Sequence, residues 1–143
     1  MLINARFTEA IHILCLIAIK DSNMPTSDKL ASSINTNPVV IRRIFKLLKD
    51  AHLIVIKRGA GGCSLSKKPS MITLKDVYFA VEDEEKRQLF RFHQDINQNC
   101  IVGSNIEEVL SPTFDKAQHK MEDELKKTTI ADVVKKIKLK FPE

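Results

Sequence analysis

Asn37-Pro38-Val39-Val40-Ile41-Arg42-Arg43-Ile44-Phe45-Lys46-Leu47-Leu48-Lys49 is the stretch on which the fold turns. An Asn side chain accepts backbone N–H groups at a helix start, and Pro at the first helical position has no donor to lose, so a helix begins at Pro38. Ile41, Ile44, Phe45 and Leu48 recur at three- and four-residue steps and form one apolar face, while Val39, Arg42, Arg43, Lys46 and Lys49 lie off it. The helix is apolar on one side and cationic on the other.

Upstream, Phe7, Ala10, Ile11, Leu14, Cys15, Ala18 and Ile19 repeat with the same period, which predicts a helix over residues 5–20, stopped by Asp21-Ser22-Asn23. A second short helix opens at Thr26 or Ser27, turns Leu30, Ala31 and Ile34 inward, and ends at Asn35 and Thr36. Three short helices, the last with a basic outer face, spell a helix-turn-helix. Downstream, residues 53–57 are β-branched, Arg58-Gly59-Ala60-Gly61-Gly62 can turn sharply, and residues 63–66 can return, so a β-hairpin wing follows. Thr73, with Asp76 three residues on, caps a fourth helix with Leu74, Val77, Tyr78 and Val81 on its apolar side.

Acidic residues 82–85 mark a boundary, and a short strand over residues 89–92 leads into a polar loop, 93–103. In the next helix Ile106, Leu110, Phe114, Ala117, Met121 and Leu125 are spaced 4, 4, 3, 4 and 4. A single helix cannot bury such a stripe against itself, so another helix must cover it. Pro112 lies within the stripe and either kinks the helix or restarts it with Ser111 as a new cap. A last helix follows Thr129, with Asp132 at the capping-box position and Ile130, Val133, Val134 and Ile137 apolar. The expected fold is mainly α with a small β wing: a winged helix-turn-helix domain over residues 1–82, a linker or sensor loop over 83–103, and dimerisation helices over 104–143.

The 143 residues (16.2 kDa) suffice for one cored domain with an appendage, and 43% hydrophobic against 29% charged residues, with 4 Gly and 5 Pro, set aside disordered, fibrous and channel classes. Charge is unevenly placed. Residues 1–70 hold 11 Lys and Arg against 4 Asp and Glu, whereas residues 71–143 hold 12 against 14. A net of +7 in the first half points to a polyanion partner for that half. The apolar run over residues 11–19 is interrupted by His12 and is too short to span a bilayer, so a cytoplasmic protein is expected. Three cysteines, at 15, 63 and 100, cannot close a disulfide framework and lack the close spacing of a structural zinc site.

Four blocks occur in order: Asn37-Pro38-Val39-Val40-Ile41, Leu47-Leu48-Lys49-Asp50-Ala51-His52-Leu53-Ile54, Lys57-Arg58-Gly59-Ala60-Gly61-Gly62 and Ile72-Thr73-Leu74-Lys75-Asp76-Val77. In that order and spacing they resemble the bacterial winged-helix regulators of the Rrf type, to which the iron-sulfur regulator IscR, the nitric oxide regulator NsrR and the cysteine-metabolism regulator CymR belong. The resemblance covers nearly the whole chain and implies a homodimeric transcriptional regulator, a repressor. Asn99-Cys100-Ile101-Val102-Gly103-Ser104-Asn105-Ile106 looks like the YwnA-like subgroup without the three cluster cysteines. Relatives that hold an iron–sulfur cluster carry three cysteines before the long helix; here only Cys100 stands there, so no cluster, metal or other cofactor is expected. Cys63 stands where the family usually has an aromatic residue after its paired glycines, and Cys15, on the apolar face of its helix, reads as a small hydrophobe.

The major groove accepts a helix whose first residues reach base edges while neighbouring cations hold phosphates. Asn37, Pro38 and Val39 open the reading helix; Val39 can meet a thymine methyl, and Arg42, Arg43 and Lys46 can reach guanine or phosphate. Lys57, Arg58 and Gly59 suit a wing tip entering the minor groove, and Thr26 and Ser27 can offer a helix N-terminus to phosphate. Lys67 and Lys68 extend the strip. The plainer readings are that Asn37 is a cap, the arginines are solvated and the wing is a turn. The dimer interface is expected from Ile106, Leu110, Phe114, Ala117, Met121 and Leu125. Cys100, in a polar loop, is a candidate redox thiol or a plain loop cysteine; His93 with it supplies too few ligands for a metal. Three alternatives stand beside the main reading, a thiol-based sensor using Cys100, a winged-helix interaction module without nucleic acid, and a metal- or cluster-dependent regulator. No Ser-His-Asp, Walker or paired-carboxylate arrangement occurs, so no enzyme is expected, and the effector is left open.

Overall fold

The computed structural model describes residues 5–20, 27–57, 62–85 and 87–141. Its elements run α1 (Ala5–Lys20), α2 (Ser27–Ile34), α3 (Pro38–Asp50), β1 (Ile54–Ile56), β2 (Cys63–Leu65), a 3₁₀ turn (Pro69–Met71), α4 (Leu74–Val81), α5 (Ile106–Lys126) and α6 (Ile130–Lys140). The architecture is mainly helical with a two-stranded antiparallel sheet, as expected. In that sheet Ile54 pairs with Leu65, Val55 with Ser64 and Ile56 with Cys63. Lys57 N–H donates to the Gly62 carbonyl at 2.9 Å, and Gly62 holds φ 64°, the left-handed conformation for which a glycine is suited.

α1 is the centre of the core and meets α2, α3, α4, α6 and β2. Ala10, Ile13, Leu14, Cys15 and Ile17 are buried on it, whereas Ile19 is 41% exposed. The buried face is broader than a single stripe and takes in Ile13 and Ile17, because neighbours pack on more than one side. Leu30, Ala31, Ile41, Ile44, Leu48, Leu53, Ile54, Ile72, Val77, Val81 and Ile130 complete one cluster. Each fully buried Ile or Leu contributes roughly 1.5–3 kcal/mol over an exposed one.

Capping follows the residues named from sequence. Thr73 Oγ1 accepts from Asp76 N–H at 3.1 Å while Asp76 Oδ2 accepts from Thr73 N–H at 3.0 Å, and Thr129 and Asp132 repeat the box at 3.1 and 2.9 Å. The two helix starts are tied together: Leu74 N–H donates to the Thr128 carbonyl and Ile130 N–H to the Ile72 carbonyl, both at 2.9 Å. This bridge joins the start of α6 to that of α4, and α6 packs on α1, so the last helix, expected to act with the long one, shares the core of the winged helix through Ile130.

One expectation is corrected, and one alternative left open is decided. Residues 89–92 form no strand. Among the described residues no strand lies alongside to complete a ladder; instead Gln118 of α5 serves the backbone, its Oε1 accepting from Leu89 N–H at 2.9 Å and its Nε2 donating to the Arg87 carbonyl at 2.6 Å. Pro112 does not restart the long helix, since α5 runs on as one element. Ser111 Oγ turns back to the Glu107 carbonyl at 2.7 Å, the bond of a helix interior and not of a cap.

Candidate nucleic-acid interface

Asn37 sits at φ −100°, ψ 157° and its Oδ1 accepts from Val40 N–H at 3.1 Å, which fixes where α3 begins and leaves its amide N–H donors for another partner. Pro38 takes the first helical turn. Ile41, Ile44 and Leu48 are fully buried against the core, whereas Val39, Arg42, Arg43, Lys46 and Lys49 are exposed. At 100° per residue the five exposed positions fall within roughly 120° of arc, opposite the buried face. Val39 is 51% exposed at the amino end, an apolar group left in water. Lys49 belongs to this face and was absent from the expected contact set, although its spacing from Arg42 and Lys46 would have found it.

Lys57 is exposed at the start of the wing turn, and Lys67 and Lys68 are exposed beyond β2. Thr26, Arg58 and Gly59 lie outside the described residues, and Ser27 is placed only as the first residue of α2. The structure thus brings Val39, Arg42, Arg43 and Lys46 together on one face of α3, with Asn37 and Pro38 at its amino end. The second set of expected residues shares a different helix: Ile106, Leu110, Phe114, Ala117, Met121 and Leu125 are each half-buried on α5, which has no buried residue. Its own chain covers part of that stripe, for Phe114 stacks on Phe90 at 4.6 Å and meets Phe92 at 5.5 Å.

The cysteines are separate. Cys15 and Cys63 are buried, and burial pushes each thiol up to about 11. Cys100 is exposed, and backbone N–H groups of Gly103 and Val102 at its sulfur lower its pKa.

Comparison with known proteins agrees with the geometry. Residues 3–136 match the Rrf2 family, described as an iron-dependent transcriptional regulator. YwnA of Bacillus subtilis (strain 168), named for the HTH-type transcriptional regulators, is 42% identical over 133 residues, covering 93% of this chain and 97% of YwnA. A crystal structure of a protein described as DNA binding is 38% identical, with a TM-score of 0.71 over 90% of this chain and 97% of that one. IscR of T. potens, at 16% identity, shares the fold with a TM-score of 0.73 over 100% of this chain and 93% of its own.

The iron in the family's description finds no matching donor set among the described residues. Two of the three thiols are buried in the winged-helix core, and among the described residues no group of three or more His, Cys, Asp or Glu is placed to hold a metal ion. The helix order, the wing and the sequence match over residues 3–136 agree, and the chain belongs to the Rrf2 family of transcriptional regulators.

Proposed function

We propose that this chain binds double-stranded DNA sequence-specifically as a homodimer and represses transcription, the signal that releases it being a small-molecule or redox effector. The observation that carries the reading is the exposed cationic face of α3, with Asn37 and Val39 at its amino end and Arg42, Arg43, Lys46 and Lys49 along it, opposite a fully buried one. Such a helix lies in a major groove with its first residues at base edges. The relatives named for DNA binding and for HTH-type regulation support the same partner.

Dimerisation is supported by α5, whose apolar stripe is only half covered and whose Val109 is 69% exposed. A two-fold pair would set the reading helices on half-sites roughly 34 Å apart or a multiple of it. A dimer seated on a promoter excludes other proteins from the same duplex, which makes repression the direct outcome of binding. The work is done where the chromosome is, in the cytoplasm, and is binding without catalysis. Among the described residues no helix is long and apolar enough to cross a membrane.

Fluorescence anisotropy with genomic duplexes across a salt series tests the reading. Log affinity should fall linearly with log salt. Absence of a complex even in dilute buffer would favour an interaction module that has lost nucleic-acid binding. A thiol-based variant of the same regulator is favoured by the exposed, acidified Cys100. Cys100→Ser should then abolish release by peroxide; an unchanged oxidant response removes that variant.

A further inference from the structure

Away from the cationic face, a cavity of about 960 Å³ lies between residues 84–85 and 87–98 on one side and α5 on the other. Small-molecule sites occupy roughly 300–1,000 Å³. One wall is aromatic: the stacked Phe90 and Phe114 and the adjacent Phe92 line it, and Phe90 stays 44% exposed. An apolar ring face is therefore offered within a concave surface.

The other wall is anionic. Among the described residues, six Asp and Glu line the cavity against two Arg. Both arginines are engaged elsewhere, Arg87 donating to the Phe79 and Glu82 carbonyls at 3.4 and 3.0 Å and Arg91 to the Glu85 carbonyl at 3.1 Å. Among the described residues no cation pairs with Glu107, Asp115 or Glu122, which follow one another along one side of α5. The field of Glu122 reaches the Tyr78 phenol, which is pushed up by burial first and then by Glu82 and Glu122. Arg87 already sets a cation on a ring of this cavity, its guanidinium carbon 4.2 Å from the Phe79 centroid.

We infer that this cavity binds a small organic cation with apolar surface, the charge facing Asp115 and Glu122 and the apolar body lying on Phe90 and Phe92. Aromatic faces attract cations through the ring quadrupole, and unpaired carboxylates in a concavity add to the same sign of field. An anion would meet the carboxylates with no free guanidinium to offset them. A neutral ligand would leave them unused. Asp115 and Glu122 lie roughly 60–80° around α5 beyond the edge of the stripe assigned to the dimer, whereas Phe114 belongs to both the stripe and the cavity wall.

Isothermal titration of the full chain, in sodium buffer of low ionic strength and without DNA, tests this with tetraphenylphosphonium. One saturable site per chain is expected. Tetraphenylborate, of the same shape and opposite charge, should give none, and spermidine, a cation without ring surface, should bind more weakly. Asp115→Asn combined with Glu122→Gln should weaken the phosphonium by about tenfold, with far-ultraviolet dichroism unchanged. Phe90→Ala should weaken it as well. Equal uptake of the two tetraphenyl ions, spermidine binding as tightly as the phosphonium, or an unchanged constant in the double variant would overturn the site. Because no DNA is present, these outcomes are independent of the anisotropy series.

Discussion

Cys100 differs from the other two thiols in what surrounds the sulfur. Gly103 and Val102 direct N–H groups at it and water reaches it, which favours the thiolate, whereas Cys15 and Cys63 are held near pKa 11 by burial. Iodoacetamide at pH 7 should therefore label Cys100 first, with the other two labelled only after denaturation. Peptide mass spectrometry reads this directly, and early labelling of Cys63 would mean that the wing opens in solution. On α3, Arg42 and Arg43 are exposed and cationic without an ion-pair partner among the described residues. Arg42→Ala or Arg43→Ala should flatten the salt slope of DNA binding by about one contact per subunit. Arg58→Ala at the wing should do the same. An unchanged slope and affinity would remove that residue from the interface.

Among the elements, the two capping boxes allow a test without DNA. Thr73→Ala removes the acceptor for Asp76 N–H and should cost about 1 kcal/mol in chemical denaturation. Thr129 N–H, and then its hydroxyl, hold the Asp132 carboxyl below the usual carboxylate range. A carboxyl depressed in the folded state contributes stability above its unfolded value of about 3.9, and that contribution is lost as pH falls through the folded value. Asp132→Asn should thus lower the melting temperature at pH 7 and converge with the parent on acidification; a gap that persists at low pH would mean that the carboxylate is not its source. These boxes were legible because Thr-x-x-Asp is a local signal, as were Asn37-Pro38 and the cationic face of α3. Residues 89–92 were not. Phe90 and Phe92 alternate with Arg91 as in a strand, and only the distant Gln118 and Phe114 decide that the segment lies against a helix instead. The same distance hides the aromatic and anionic cavity from a reading of spacing. Gly103 is another case: a Cβ there would stand 2.5 Å from the Asn97 carbonyl oxygen, a constraint set by loop closure.

For the whole molecule, the question is how the appendage divides between core and partner. α6 returns to α1 and buries Ile130 completely, while α5 stands between with no buried residue. The two helices should therefore fail in different ways. Ile130→Ala leaves a cavity in the winged-helix core and should cost about 2–5 kcal/mol of stability, with the subunit count unchanged wherever the protein remains folded. Leu110→Asp or Met121→Asp instead places a charge in the half-covered stripe. In a lone chain such a site still reaches water and the effect on folding should be small, but beneath a partner helix an unpaired charge costs several kcal/mol, enough to dissociate the pair. Light scattering should then read about 16 kDa for the Asp variants and twice the chain mass for Ile130→Ala. DNA affinity should fall with dimerisation, because a single chain engages one half-site and loses the gain of the linked second contact. Asp variants that remain dimeric with normal melting would place the contact on another face of α5, and footprinting that protects one asymmetric half-site under a single chain would remove the two-fold assembly itself.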